Sequence, residues 1–279
     1  NTVDTLVIGN FCGTQSLAAV GTSGQPVELL LCIFMGMGTG VSILVAQFTG
    51  SGNLAMTQKA VTTSISFLYI CGIPLSVLGV LLSPLILGLM AVPEDVWDYC
   101  MSYLNIIFLG TLGNMGYNMN AGILRGLGNS RASLLFLLIS CIVNMVLDLL
   151  FVAGFHMDVA GAALATSIAM FCSWFFSIFY IKKMYPELEF TWLPKHLDKN
   201  MMGQILKIGF PLGLNNSIYS IGHILLQTLI NTQGAVFIAA CSVGSRLTGM
   251  ANVAINSFSS AATTFEGQNM GAQEYYRLH

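Results

Sequence analysis

Apolar runs of about 20 residues, the length a helix needs to cross a bilayer core, recur along almost the whole chain and leave room for few other architectures. A partial run covers 1–12, and seven more lie at 26–47, 62–91, 99–123, 132–154, 159–181, 204–231 and 236–264. Gly, Ser, Thr and Pro occur inside these runs, as membrane helices tolerate. Of 279 residues, 55% are hydrophobic and 8% are charged, against about 25% charged in an ordinary soluble domain. So few charges cannot cover a water-exposed surface, and lipid must face most of the exterior. The expected fold class is an all-α membrane protein, a polytopic helical bundle.

The same composition excludes several functions. A net charge of −2, with ten scattered Lys and Arg, offers no basic track for nucleic acid. Seven Cys stand singly, without a C-x-x-C pair, and read as small buried hydrophobes. No H-E-x-x-H or G-x-S-x-G motif occurs, so the common metal and nucleophile signatures are missing and the chain is not expected to be an enzyme. The stretch 2–11 reads as the tail of a helix already in progress.

Lys and Arg collect in alternate loops, as the positive-inside rule requires of the cytoplasmic side. Lys59 follows the second run, Arg125 and Arg131 the fourth, Lys182, Lys183, Lys195, Lys199 and Lys207 the sixth, and Arg277 the eighth; Arg246 alone departs from the pattern. Glu94, Asp95, Asp98 and Asp158 occupy the opposite loops. The polar stretch 183–203 is then a cytoplasmic linker.

Across that linker the chain repeats itself. At an offset of 221 residues Gly13 lies over Gly234, Asn10 over Asn231, Gln47 over Gln268 and Gly50 over Gly271, while Gly36, Gly38 and Gly40 meet Ser257, Ser259 and Ala261. One period holds six spans, an even number, so both repeats share one orientation about an axis along the membrane normal. The expected organisation is a six-helix lobe at 1–182 with a partial first helix, the linker at 183–203, and the first two helices of a second lobe at 204–279. Its last four helices are expected to be missing, out of about twelve in an intact duplicated transporter.

Ionisable groups at bilayer depth are functional candidates by default. Asp4 and Asp148 stand out, and Asn144 shares a helix face with Asp148 at a spacing of four. Counting 1.5 Å per residue from the outer ends places Asp4 roughly 12 Å deep, Asn144 roughly 15 Å, Asp148 roughly 9 Å and Thr166 roughly 10 Å. Two carboxylates, an amide and a hydroxyl at one level suit a hard cation such as Na⁺, or a shared proton. The bland alternative is interhelical hydrogen bonding, which suits Asn144 and Thr166 taken alone better than it suits a pair of carboxylates.

Asn114, Asn118, Asn215 and Asn216 are candidate substrate-pathway residues; Asn120, Ser217, Gln227, Asn252 and Asn256 are further intramembrane polar positions, each equally readable as helix glue. Gly36, Gly38 and Gly40 lie within a span and read as a close helix contact rather than a phosphate loop. The 15 Met and 17 Phe suit a cavity for apolar cations, or simply core and lipid contact.

In order along the chain, Val3-Asp4-Thr5, Leu17-Ala18-Ala19-Val20-Gly21, Ile123 to Arg131, Asn144 to Phe151, Gly161 to Thr166, Ile208-Gly209-Phe210-Pro211 and Gly267 to Ala272 resemble the multidrug and toxic compound extrusion (MATE) family. The resemblance covers essentially the whole chain. It implies two six-helix lobes around a central cavity, and a monomeric secondary antiporter of the bacterial inner membrane that exports organic cations or drugs. The exchanged ion is H⁺ or Na⁺, no cofactor is needed, and the cation-site motif falls on Asp4, Asn144, Asp148 and Thr166. The alternatives are a lipid-linked saccharide flippase of related fold, for which the spans hold little basic charge, and an intramembrane hydrolase with Asp4 and Asp148 as its dyad.

Overall fold

The computed structural model describes residues 2–90, 92–191, 193–194, 197–231 and 235–278, with the side chains of 2, 3, 14, 223–224, 227–231, 235–240, 242–243, 245–247, 250 and 278 outside the description. Lys195, and the side chains of Gln227, Asn231 and Arg246 weighed above, fall outside it. Among the described residues the chain is predominantly helical and carries no strand.

The helices are α1 (Thr2–Phe11), α2 (Thr14–Gly50), α3 (Leu54–Leu89), α4 (Glu94–Leu109), α5 (Thr111–Gly126), α6 (Ser130–Asp148), α7 (Asp158–Met184), α8 (Lys199–Asn231) and α9 (Ala235–Gly271). Among the described residues, four stretches are long and apolar enough to cross a membrane: Gln15–Gly50, Leu54–Leu89, Ser130–Gly154 and Asp158–Met184. α2 and α9 have 37 residues each, roughly 55 Å at 1.5 Å per residue, so both outrun a hydrocarbon core of roughly 30 Å. Apolar counting finds only the lipid-crossing part of such a helix, so it placed the start of α2 too late.

The fourth apolar run is divided. Gly110 separates α4 from α5, and a Cβ at Gly110 would overlap the Ser167 side chain. Ser167 Oγ donates to the Ile106 carbonyl at 3.3 Å and Ser76 Oγ to that of Phe108 at 2.6 Å, so side chains serve the carbonyls beside the break. α2 is the central helix, packed against α3, α4, α5, α8 and α9. Its glycines allow this. Gly36 meets the Gly213 backbone, a Cβ at Gly40 would lie 2.8 Å from Gly209 Cα, and one at Gly38 would lie 2.7 Å from the Asn118 carbonyl oxygen. Leu81, Leu85 and Leu89, by contrast, point outward as a lipid-facing helix surface does.

The connection after α7 is shorter and less solvated than a free linker. Pro186–Leu188 forms a 3-10 turn and α8 starts at Lys199. Leu188 and Phe190 enter the main apolar core together with Met201 and Ile205. Gln58 Nε2 donates to the Glu187 carbonyl at 3.3 Å, and Lys59 lies 3.8 Å from Asp198.

Candidate functional site

Asp4 and Asp148 are each at most 1% exposed on largely apolar helices. α1 supplies Asp4, α6 supplies Asn144 and Asp148, and α7 supplies Thr166; α1 packs against both α6 and α7. The antiparallel course of α6 and α7 sets Asn144 beside Thr166, whose Oγ1 accepts from Asn144 Nδ2 at 3.3 Å. The same hydroxyl donates to Asp4 Oδ2 at 3.1 Å. Amide, hydroxyl and carboxylate thus form one polarised chain through three helices.

Asp148 completes the group. Its carboxyl adjoins that of Asp4 at a range where a shared proton would join them. With both ionised, neither Asp148 oxygen nor Asp4 Oδ1 has a hydrogen-bond partner among the described residues. Three orphaned carboxylate oxygens in one apolar interior are costly unless something positive lies among them. The donors are all hard oxygens, and no cluster of three His, Cys, Asp or Glu occurs among the described residues. Such a set suits a proton or a small hard cation rather than a thiophilic or imidazole-seeking metal.

Two features escaped the sequence reading. Asp148 is the last α-helical residue before a π-helical segment, Leu149–Gly154, in which the Phe155 amide donates to the Leu150 carbonyl at 2.9 Å. Such wide turns shift the side chains that follow and often flank functional groups. Tyr103, 3% exposed on α4, lies within electrostatic reach of both carboxylates. Its position on a kinked span near Glu94 and Asp98 concealed it.

A cavity of about 70 Å³ adjoins the group. Tyr103, Gly110, Thr111, Asn114, Thr166 and Ser167 are among its lining residues, with apolar side chains of α2 opposite. Largely apolar, it runs from Thr166 of that group to Asn114. Asn118 Nδ2 donates to both the carbonyl and Oδ1 of Asn114, each at 2.9 Å. Asn120 instead donates to Ser177 at 2.8 Å and holds α5 to α7. Asn215 and Asn216 are exposed on α8 and make no side-chain hydrogen bond among the described residues; Asn252 and Asn256 are exposed on α9. The structure therefore gathers Asp4, Asn144, Asp148 and Thr166, sets Asn114 on a cavity that Thr166 also lines with Asn118 bonded to it, and leaves Asn215 and Asn216 apart.

The MatE family profile matches residues 1–150. The probable multidrug resistance protein YpnP of Bacillus subtilis is 28% identical over 270 residues, which are 96% of this chain and 60% of that protein. The FAD transporter of Shewanella oneidensis is 24% identical over 98% of this chain and 61% of its own length. A crystal structure of MATE in complex with MaD3S superposes on 100% of this chain and 63% of its own, with TM-score 0.92 and 23% identity. The chain thus spans less than two thirds of the length of these relatives.

Proposed function

The chain belongs to the MatE family, and on that premise we propose that it acts as a secondary antiporter exporting organic cations or drugs in exchange for H⁺ or Na⁺. It is a multi-pass membrane protein; the ends carrying Lys59, Arg125, Arg131, Lys182 and Lys183 are assigned to the cytoplasm. Residues 1–182 form one lobe, 204–279 belong to the other, and 183–203 join them.

The observation that carries this reading is the buried pair Asp4 and Asp148, with three carboxylate oxygens that lack a hydrogen-bond partner among the described residues. Two ionised carboxylates side by side repel, and an ion caught between them removes that repulsion. Asn144 and Thr166 orient Asp4 and supply further oxygens. If the pair is tight in one lobe arrangement and open in the other, ion binding shifts the balance between arrangements, and that difference drives alternating access. Asn114, which shares the cavity with Thr166, and Asn118, bonded to Asn114, line the substrate path.

Efflux from proteoliposomes under separately imposed proton and sodium gradients tests the reading. Export driven by one gradient and lost in Asp148→Asn supports it; export indifferent to both gradients refutes it. Flavin dinucleotide belongs among the substrates assayed, because the Shewanella oneidensis relative is a FAD transporter. Recovery of chemically unaltered substrate separates transport from hydrolysis.

A further inference from the structure

α3 and α7 both rest on α5 and, among the described residues, do not pack against each other. The turn Pro186–Leu188 touches both and closes the gap at its Lys-rich end. What lies between them is an apolar cleft of about 420 Å³, whose lining includes Tyr69 of α3, Leu112 of α5 and Phe171, Trp174, Phe175 and Ile178 of α7. Two glycines of α5 shape its floor. A Cβ at Gly113 would lie 2.8 Å from the Phe171 ring, and one at Gly116 would overlap the Trp174 indole, so both rings lie down on α5. Trp174 and Tyr69 face each other with ring centroids 6.2 Å apart.

Among the described residues α7 contacts neither α8 nor α9, and Phe175, Phe176 and Phe179 are exposed, as are Ile70 and Ile73 of α3. On a membrane span that outer side is hydrocarbon. Water finds no polar partners in such a cleft, and an empty one forfeits dispersion contacts, so a lipid chain fills it. Helical spacing shows which lipid. Phe171, Phe175, Ile178 and Lys182 fall at i, i+4, i+7 and i+11 of α7, and Cys172, Phe176, Phe179 and Lys183 repeat the pattern one residue on. Lys182 therefore continues the cleft-lining stripe about 6 Å beyond Ile178 along the axis. Both lysines are exposed. Neither has a carboxylate partner among the described residues, although Glu187 follows in the next turn.

We propose that this cleft binds an anionic phospholipid of the cytoplasmic leaflet, with one acyl chain between α3 and α7 and the phosphate on Lys182 and Lys183. The chain supplies the packing that the two helices do not give each other, and the paired ammonium groups select a headgroup with net negative charge. The inference concerns the outer side of the first lobe and does not rest on the antiport reading.

Trp174 reports on its own cleft. In the full chain reconstituted into bilayers, with every other tryptophan, Trp97 and Trp192 included, changed to Phe, its fluorescence is quenched by phospholipids with brominated acyl chains. Mixtures of phosphatidylglycerol and phosphatidylcholine, brominated one at a time, give the relative affinity of the two lipids there. Phosphatidylglycerol should be preferred at least about tenfold, from two lysines at the membrane surface. Lys182→Gln with Lys183→Gln should bring the preference to about one. Arg131→Gln with Lys207→Gln, an equal loss of charge on α6 and α8, should leave it unchanged. A preference of about one in the parent, or the same loss in both double variants, overturns the headgroup site. Cys172→Phe narrows the cleft and keeps both lysines, and should cut quenching by either lipid about twofold or more; Cys172→Leu serves if the larger side chain does not fold. Unchanged quenching in a folded variant overturns the place given to the chain. No quenching by either lipid in the parent means that protein, whether a second copy or another part of the chain, covers the cleft, and overturns the proposal.

Discussion

Thr166 on α7 donates its hydroxyl proton to Asp4 on α1 across 162 residues of sequence, at 3.1 Å. Because the same oxygen accepts from Asn144, removing it disconnects Asp4 from Asn144 on α6 as well as from α7.

Thr166→Val keeps the shape of the side chain and loses both hydrogen bonds. A hydrogen bond to a charged group contributes about 1.5–3 kcal/mol, so the coupling ion should bind roughly ten- to a hundredfold more weakly. Thr166→Ser should restore affinity. The ion-concentration dependence of efflux measures both, and equal losses in the two variants would sink the role given to the hydroxyl.

Asp148→Asn should abolish ion-driven efflux while leaving the fold in place, because among the described residues the two Asp148 oxygens make no hydrogen bond on which packing depends. The expected change in stability is about 1 kcal/mol or less. Asp4→Asn should behave likewise in transport. Thermal unfolding and efflux measured together check this: gradient-driven export by a folded Asp148→Asn protein removes the assignment.

Gly36 and Gly213 bring α2 and α8 into backbone contact, and a Cβ at Gly36 would overlap Gly213 itself. Gly36→Leu should destabilise by about 1–3 kcal/mol through forced separation of the helices. Gly21, also inside α2, has nothing within 4 Å of a built Cβ. Gly21→Ala should be neutral or stabilising by up to about 1 kcal/mol. Equal unfolding temperatures for the two variants would show that the close approach carries no weight.

Asp198, beside the first turn of α8 and outside the apolar spans, is held below its ordinary value of 3.8, first by the Met201 amide, then by that of Asn200 and by Lys59. Oδ1 accepts from the Asn200 and Met201 amides at 2.9 and 3.1 Å. A depressed carboxyl stabilises the folded state above its unfolded value, and that contribution disappears as pH falls through the depressed one. Amide exchange at Asn200 and Met201, relative to unfolded peptide, should therefore quicken in acid. In Asp198→Asn, which keeps an acceptor oxygen, this pH dependence should vanish.

Much of the fold was legible in the chain because membrane helices are written locally. Seven full-length apolar runs correspond to α2, α3, α4 with α5, α6 with its π-helical extension, α7, α8 and α9. The 221-residue offset recurs as two helices of 37 residues in the same register. The exception is the fourth run, because its break at Gly110 depends on Ser167, 57 positions away on another helix.

What the sequence determined alone was the medium, the spans and the short roster of polar groups that hydrocarbon does not tolerate unpaired. These follow from run length and from the cost of burying charge, which each segment carries within itself. The tertiary structure decided which of those groups meet. It set Asp4, Asn144, Asp148 and Thr166 side by side, added Tyr103, and left Asn215 and Asn216 exposed. Such contacts depend on how the faces of separate helices interdigitate, and no single segment encodes that.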